Sequence, residues 1–277
     1  MRVLVRRREG GHASLAEDAL VVEEPLEIRL REGRDAAAAR LFVTMRTPGH
    51  DEDLAAGLLF SEGLLESAED LLDVSRPDDP GIAPELARNV VIVTAVPRTG
   101  GARRRHRDAA PLTSACGVCG EITIERVGEL AEAARRRRGD EEGGPVVPAA
   151  VLASLPEELR RQQAIFRSTG GLHAAGLFSA DGSLVLCRED VGRHNATDKA
   201  IGATLRERRP VPPILLVSGR LGFEIAQKAA LAGVRIVCAV SAPTSLAVSL
   251  AEETGMTMVG FLRGDRFNVY CHPERVG

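Results

Sequence analysis

The second half of this 277-residue sequence predicts a three-layer α/β lobe, in which a sheet lies between two layers of helices. Two apolar runs, PPILLVSGR at 212–220 and VRIVCAV at 234–240, have the length and composition of buried strands. Each run is followed by a helical pattern, and the two helices are closed by Gly233 and Gly255. Strands that alternate with capped helices are typical of this architecture.

The first half predicts a smaller, mixed α+β lobe. Ala19 to Glu32 has the composition of a strand, and Pro25 limits it to a sheet edge or divides it into two short strands. Leu41 to Met45 and Val90 to Val96 are apolar runs that predict buried strands. With 44% hydrophobic residues, the chain can bury a substantial core.

A helix is expected to begin near Asp51, after the turn at Pro48-Gly49. Its apolar residues are Leu54, Leu58 and Leu59. Several polar residues surround the start of this helix, and we interpret them as capping and solvated loop in preference to a site. They are Arg46, Thr47, His50, Asp51 and Glu52.

The segment from Leu130 to Gly144 predicts an exposed connection, because it is polar, of mixed charge and rich in glycine. We therefore assign residues 1–145 to the N-terminal lobe and residues 146–277 to the C-terminal lobe. Residues of about 98–121 are expected to form a mobile loop of the first lobe. Directly after this loop, Glu121 to Val127 alternates like a strand.

The second lobe opens with a helix after Pro148. One face of that helix carries Leu152, Leu155 and Leu159. A hairpin is expected around Asp181-Gly182, followed by a helix whose cap is Asn195 or Thr197. The tail from Met256 predicts strand, turn and strand.

Composition excludes several classes of function. A formal charge of -3 and an aromatic content of 3% argue against nucleic acid as a partner. The opening sequence MRVLVRRREGGH lacks the apolar core of a signal peptide, and no run approaches the length of a membrane span. Five cysteines in a chain of this size do not suggest a disulfide framework. We expect a soluble protein of the reducing cytoplasm.

The most informative stretch is TSACGVCGE, in which Cys116 and Cys119 are separated by two residues. Gly117 and Gly120 follow the two cysteines and favour tight turns that leave the sulfur atoms accessible. The arginine-rich segment at 103–107 would lower the pKa of nearby thiols, although such a run is equally well explained as a solvated loop. The pair predicts a nucleophilic thiol that accepts a sulfur atom as a persulfide, with a second thiol close by.

Other uses of the cysteine pair are less well supported. A structural zinc site needs about four ligands, yet the remaining cysteines are isolated, so we expect no permanent metal. Cys187 and Cys238 lie in apolar strands and predict core positions, and Cys271 stands alone beside a histidine. A thioredoxin-like pair would precede a helix, whereas this one precedes a β-patterned segment.

Three short polar loops in the second lobe predict a ligand site. They are Gly192–Asn195, Ser218–Arg220 and Ser241–Ser245. In open α/β sheets such loops meet beyond the carboxyl ends of the strands, and their hydroxyls and free helix amides suit anionic oxygens. Arg193, Arg220 and Lys199 would supply positive charge, which favours a phosphate-bearing ligand. Each loop taken alone is also explained by helix capping.

Several motifs in a fixed order resemble the formate dehydrogenase accessory sulfurtransferase family, FdhD. They are TMRTPGHDEDLAAGLLFSEG, CGVCG, STGGLHAAGLF with EDVGRHNATDK, SGR before a helix, and SAPTSLAV followed by GFLRGDRFNVY. The likeness runs from about Leu20 to the C-terminus, and five motifs in order are highly specific.

The resemblance implies a sulfurtransferase that acts as a sulfur carrier. Such a protein takes sulfur from a cysteine desulfurase as a Cys116 persulfide, with Cys119 as its companion. It delivers the sulfur to the molybdenum bis(molybdopterin guanine dinucleotide) cofactor, which is then inserted into formate dehydrogenase. The resemblance also implies a homodimer and a C-terminal lobe similar to cytidine deaminases.

The same resemblance assigns the cofactor-binding segment to FLRGDR. Its residues are Phe261, Leu262, Arg263, Gly264, Asp265 and Arg266. Paired guanidinium groups on a Gly-Asp turn suit phosphates, and an aspartate can accept hydrogen bonds from a guanine edge. From the polar loops, Arg193 and Ser218 join this predicted site. An ordinary hairpin with solvated arginines is the alternative.

Deamination is excluded on chemical grounds. His173 occupies the position of the deaminase histidine, but Ala175 stands where the proton-shuttling glutamate would be. Two rivals to the sulfur carrier stay open, namely a thiol-disulfide oxidoreductase and a non-catalytic chaperone of the molybdenum cofactor.

Overall fold

The computed structural model describes residues 1–78, 83–97, 112–114, 132–134 and 144–277, without the side chains of 84, 85 and 112–114. Thirteen strands and seven helices are defined within these ranges. Strands β1 to β13 span Arg2–Glu9, His12–Ala19, Glu24–Glu32, Ala39–Arg46, Leu71–Ser75, Val90–Ala95, Leu112–Ser114, His173–Phe178, Leu184–Asp190, Ile214–Val217, Ile236–Ala239, Thr257–Arg263 and Arg266–Cys271. Helices α1 to α7 span Asp51–Ser61, Pro84–Ala87, Ala149–Gln162, Ala164–Thr169, Arg193–Arg206, Phe223–Leu231 and Ser245–Thr254.

The first half forms a five-stranded sheet in the order β5-β6-β3-β4-β7, and β1 and β2 make a separate hairpin. Pro25 lies near the start of β3, which is an interior strand between β6 and β4. The expectation of an edge strand is therefore wrong. The sheet tolerates this proline because β6 begins to pair with β3 only at Glu27, so the missing N–H costs no hydrogen bond to β6. The segment is divided into two strands, as the alternative predicted, but the break lies between Ala19 and Glu24 and not at Pro25.

The second half forms a six-stranded sheet in the order β13-β12-β11-β10-β8-β9. Strands β10, β11 and β12 are parallel, whereas β8 is antiparallel to β10, β9 to β8 and β13 to β12. This arrangement confirms the predicted hairpins and is compatible with the deaminase-like lobe that the resemblance implied.

Apolar clusters cover both faces of the six-stranded sheet. On one face, Leu215 and Val237 pack in a cluster with residues of α1, α5, α6 and α7. On the other face, Ile214 and Leu216 pack against the three leucines of α3, at positions 152, 155 and 159. The three-layer prediction is confirmed. No helix in the described ranges has the length and hydrophobicity to cross a bilayer.

The larger cluster also joins the two halves of the chain. It contains Leu26 and Val91 from the five-stranded sheet together with Leu215 and Val237 from the six-stranded sheet. The division at residue 145 stays a prediction about the chain, and the apolar residues on either side of it share one core. Glu121–Val127, and most of 130–144, lie outside the described residues.

The polar residues at the start of α1 form a buried ion-pair network, which the interpretation as a solvated loop missed. Nε of Arg46 donates to Oδ1 of Asp51 at 2.8 Å, and both side chains are almost fully buried. Arg76 donates to the same carboxylate at 2.9 Å. Burial alone would raise the pKa of Asp51, but the hydrogen bonds from the two arginines outweigh it and lower the pKa.

A second carboxylate of α1 links the two halves directly. Asp53 accepts hydrogen bonds from Arg188 of β9 at 2.9 Å and from Arg206 of α5 at 2.5 Å. Burial opposes ionisation, but hydrogen bonds from His50 and these arginines dominate, and the pKa of Asp53 falls to about 2. The carboxylate is therefore ionised at every physiological pH and binds α1 to the second half of the chain.

Candidate functional site

The three polar loops predicted to bind a ligand meet at one edge of the six-stranded sheet. Val217 at the end of β10 pairs with Ala239 at the end of β11 and with Ala175 near the start of β8. His173 pairs with Asp190, so the carboxyl end of β9 lies at the same edge. The N-termini of α5, α6 and α7 follow β9, β10 and β11 there, as in other open α/β sheets.

The loop between β9 and α5 is fixed by one buried carboxylate. Oδ1 of Asp190 accepts hydrogen bonds from the backbone N–H of Gly192 at 2.9 Å and from the Asn195 amide at 3.0 Å. Its Oδ2 accepts from the N–H of Thr47 at 3.1 Å and lies 2.7 Å from the Lys199 ammonium. Aspartate at the end of β9 thus shapes the loop that carries Arg193 and ties it to the first half.

Two expectations for this loop are corrected. Lys199 supplies no charge to a ligand, because it is buried and its ammonium group binds Asp190 and the carbonyl of Thr47. Helix α5 begins at Arg193 with Gly192 as its cap, not at Asn195 or Thr197. The Asn195 amide is occupied elsewhere, since it donates to the carbonyl of Met45 at 2.8 Å as well as to the loop aspartate.

Ser218 uses its backbone and side chain to hold the loop after β10. Its N–H donates to the carbonyl of Ala174, and its hydroxyl accepts from the N–H of Ala174, both at 2.9 Å. The hydroxyl hydrogen is left to donate. The next residue, Gly219, passes close to two side chains of this edge, because a Cβ there would lie 3.3 Å from Nδ1 of His173 and 3.6 Å from Cδ of Arg193.

A second histidine lies beside this group with a carboxylate partner. Nε2 of His194 is 2.7 Å from Oε2 of Glu224, and both side chains are partly exposed. The hydrogen bond from this histidine lowers the pKa of Glu224. Sequence reasoning missed Glu224, because an acidic residue in the first turn of a helix is common and carries no signal of its own.

The predicted FLRGDR segment forms the β12–β13 hairpin, with its turn at Gly264-Asp265. Arg263 and Arg266 pair across the turn and are exposed. Leu262 is different, because its side chain is buried in the cluster beneath the sheet and is not available to a ligand. Its role is to anchor the hairpin.

Phe261 has an unusual backbone conformation for a large side chain. Its φ is +53°, in the left-handed region that favours glycine, and the pairing of β12 with β13 is irregular at this point. Its N–H donates to the carbonyl of Ser241 at 3.0 Å, and 43% of the residue is exposed. The strained backbone and the exposed ring make Phe261 a candidate ligand contact.

Tyr270 is a neighbouring aromatic residue that sequence reasoning did not select. A Cβ on Gly260 would lie 2.9 Å from its ring and 2.8 Å from the ring of Pro243. The chain therefore needs glycine at this position, where the tyrosine ring and the proline close over the backbone just before Phe261.

The three cysteines in the described ranges are poor nucleophiles. Burial raises the pKa of Cys187 to about 11, of Cys238 to about 12 and of Cys271 to about 11, so all three are protonated thiols at neutral pH. The core position predicted for Cys238 is confirmed, since it is fully buried in the smaller apolar cluster, whereas Cys187 is partly buried and packs against that cluster. Within the described residues, no group of three or more side chains is arranged to hold a metal ion.

Cys116 and Cys119 lie outside the described residues, as do the arginines at 103–107. The last described residue before the pair is Ser114, which ends β7 and pairs with Thr44 of β4. The Thr44 hydroxyl lies 3.5 Å from the Asn195 amide oxygen. The chain that leads to the cysteines is thus anchored beside the loop between β9 and α5.

Comparison with known proteins gives a consistent result. The model of the FdhD/NarQ family matches residues 21–277. A sulfur carrier protein FdhD from Mycolicibacterium paratuberculosis is 44% identical, with 100% of each chain covered, and one from Nocardia farcinica is 47% identical, with 94% of this chain and 88% of the relative covered. A crystal structure assigned to a formate dehydrogenase accessory protein from Desulfotalea psychrophila has a TM-score of 0.71 at 24% identity and covers 100% of this chain and 98% of that one, which shows a shared fold. The family match spans nearly the whole sequence, and this chain belongs to the FdhD/NarQ family.

Proposed function

We propose that this protein is a cytoplasmic sulfur carrier. It accepts a sulfur atom from a cysteine desulfurase as a persulfide on Cys116 and transfers it to the molybdenum bis(molybdopterin guanine dinucleotide) cofactor, which is destined for formate dehydrogenase. Curated relatives that are 44% and 47% identical carry the name sulfur carrier protein, which supports this role. By family likeness, we expect the carrier to be a homodimer.

One structural observation carries the proposal. Strand β7 ends at Ser114 beside β4, and β4 ends next to the loop that presents Arg193. Cys116 follows Ser114 by two residues, a chain length that spans at most about 7 Å. A thiol tethered at that distance can serve a substrate that occupies the edge of the six-stranded sheet.

The first chemical step needs no external oxidant or reductant. The Cys116 thiolate attacks the terminal sulfur of the donor persulfide, so a new S–S bond forms on Cys116 as the S–S bond of the donor breaks. The donor cysteine leaves as a thiolate. Cys119 is expected to assist as the second thiol of the motif. The three described cysteines, protonated and mostly buried, do not compete for this sulfur.

The edge of the sheet suits the nucleotide parts of the cofactor, which is the substrate of this carrier. Arg263 and Arg266 can bind phosphate oxygens, and Asp265 can accept hydrogen bonds from guanine. The exposed ring of Phe261 offers a surface for a purine to stack on. Arg193 and Ser218 extend the same edge toward the β9–α5 loop.

Persulfide formation tests the sulfur-carrier function. After incubation with a cysteine desulfurase and cysteine, intact-mass measurement should show a gain of one sulfur atom that a reducing agent removes. Cys116→Ala should abolish the gain, because Cys116 is the proposed sulfur acceptor and the three described cysteines are protonated.

The matched control is Cys187→Ala, which removes a cysteine with a raised pKa and should leave the gain intact. A sulfur gain that persists in Cys116→Ala, or its absence from the unmodified protein, would contradict the proposal. Rapid reduction of insulin would favour the oxidoreductase instead. Full activation of formate dehydrogenase by Cys116→Ala would favour the chaperone.

Replacement of Phe261 is expected to weaken nucleotide binding without lowering the stability of the protein. Phe261→Asn should weaken the binding of a guanine nucleotide about tenfold, because stacking of one base contributes roughly 1–3 kcal/mol. The same change should not lower the melting temperature, and relief of strain can raise stability by about 1 kcal/mol, because asparagine tolerates φ of +53°. Calorimetric titration with GDP and thermal denaturation measure the two effects.

Phe261→Tyr is the matched control, since it keeps an aromatic ring and the strain, and its affinity should stay within about twofold. Unchanged GDP affinity in Phe261→Asn would remove this residue from the binding site.

A further inference from the structure

We propose that Arg193, His173 and the hydrogen-bonded pair His194–Glu224 form a separate anion-binding site that accepts a phosphate group. The site lies where the β9–α5 loop meets the loop after β10. For the identity of its natural ligand, this inference rests on the proposed function, because a cofactor with two guanine nucleotides carries several phosphates.

The geometry brings these residues together around one glycine. Gly219 lies between His173 and Arg193, and a Cβ on it would be 3.3 Å from the imidazole and 3.6 Å from the arginine side chain. A side chain at Gly219 would therefore crowd both groups, and glycine lets the loop after β10 approach them closely. His194 follows Arg193 in the first turn of α5, and its partner Glu224 lies in the first turn of α6.

One hydrogen-bond donor at this position lacks an acceptor in the described part of the chain. Nε of Arg193 is buried and has no hydrogen-bond partner among the described residues. The nearby carboxylates are already engaged: Asp190 binds Lys199 and the loop backbone, and Glu224 binds His194. A buried guanidinium N–H without an acceptor is costly, and an oxyanion supplies the missing acceptor.

His173 adds a response to pH. Burial is the main cause that lowers its pKa, and the charges of Arg193 and His194 lower it further, while Asp190 opposes them. Among the described residues, Glu224 binds His194, and the charge of Lys228 also reaches Glu224. In the free protein His173 is thus mostly neutral at pH 7. A bound anion favours the protonated ring, so binding takes up a proton and strengthens as the pH falls.

The site is distinct from the FLRGDR hairpin. His173 begins β8 and Phe261 lies near the end of β12, and three strand spacings of about 4.8 Å separate these strands, or roughly 14 Å. A ligand that contacts both places must be elongated, with a purine at one end and an anionic group at the other.

Titration with inorganic pyrophosphate tests the site. All variants carry Arg263→Ala and Arg266→Ala, so that the hairpin does not contribute. In this background pyrophosphate should bind at pH 7, and Arg193→Gln should weaken it at least about tenfold. Arg160→Gln, which changes an exposed arginine of α3, should have no effect.

Sulfate is the probe for the pH dependence, because it does not titrate between pH 6 and pH 8. Its affinity should rise several-fold from pH 8 to pH 6, and calorimetry in buffers of different ionisation enthalpy should show proton uptake. His173→Gln should bind sulfate at pH 8 like the parent and should lose the increase at pH 6.

Pyrophosphate that binds equally to the parent and Arg193→Gln, or to neither, would overturn the proposal. If Arg193→Gln does not fold, Arg193→Lys keeps the charge without the planar fork and should bind several-fold more weakly, so equal affinity there also overturns it. The sulfur gain on Cys116 is measured separately in the parent. Loss of pyrophosphate binding in Arg193→Gln supports this site, whereas a failed sulfur gain in the parent concerns only the proposed function.

Discussion

Alanine at Gly57 or Gly202 is expected to abolish folding or to cost more than about 3 kcal/mol, from a total that is typically about 5–15 kcal/mol. A Cβ on Gly57 would lie 1.9 Å from the carbonyl oxygen of Asp198, and one on Gly202 would lie 1.9 Å from the carbonyl oxygen of Asp53. The obstacles are backbone atoms of the opposite helix. Only separation of α1 from α5 can relieve the contacts, and this breaks the core that joins the two halves.

Chemical denaturation of each variant measures the effect. Gly222→Ala is the matched control, because a Cβ there has no atom within 4 Å and the backbone has an ordinary φ of −88°. Its stability should change by less than about 1 kcal/mol. A Gly57→Ala protein as stable as Gly222→Ala would show that α1 and α5 are not packed this closely.

This helix contact also matters for the candidate site, because α5 carries Arg193 and His194 in its first turn. Separation of the helices displaces both residues from His173 on β8. We therefore expect a partly folded Gly202→Ala protein to lose pyrophosphate binding along with stability.

The sequence predicted most strands and helices because their signals are local. The apolar runs of β6, β10 and β11 and the leucines of α3 alternate with recognisable glycine and proline signals. The glycine at the end of α7 is a further local signal, since Gly255 adopts a positive φ of 67° and closes the helix as predicted. Such features depend on a few neighbouring residues.

The contacts between the two halves could not be predicted in the same way. Asp53, Arg188 and Arg206 are far apart in sequence, and nothing in their local patterns indicates that they share an ion-pair network. The close approach of Gly57 to Asp198 could not be predicted either, because a glycine inside a helix has several possible explanations.

The residues of the candidate site show the same difference between local signals, which could be predicted, and long-range contacts, which could not. The three loops were found because each follows an apolar strand and precedes a helix, and parallel strands bring such loops to one edge. Glu224 and Tyr270 were missed, because their roles depend on partners from other elements. Leu262 was included because it lies inside a matched motif, and only the packing reveals that its side chain faces the core.

Both lysines of this sequence are buried, at positions 199 and 228, and each forms an ion pair with an aspartate. Lysine is the residue type least expected in an interior, and it is stable there only with a charged partner. The first lysine holds Asp190 at the candidate site, whereas the second holds Asp198 within the helix layer, with two contacts of 2.9 Å.

Lys199→Met is expected to lower the free energy of unfolding by about 3–5 kcal/mol, because it leaves Asp190 buried without its cation. Lys228→Met is the matched variant, since it breaks the other buried pair and should cost a similar amount. The two should differ at the site, because Asp190 also accepts hydrogen bonds from Gly192 and Asn195 and so fixes the loop that carries Arg193.

Urea denaturation measures the stability of the two folded variants. Pyrophosphate titration shows whether each lysine also helps to position the anion-binding site. Lys228→Met should bind pyrophosphate like the parent, whereas Lys199→Met should bind it at least about fivefold more weakly, because the unpaired aspartate shifts its loop or repels the anion. Equal affinity in the two variants would mean that the aspartate at the end of β9 supports the core without positioning Arg193. The second replacement Asp190→Asn, added to Lys199→Met, should recover part of the lost stability, because it removes the uncompensated buried charge.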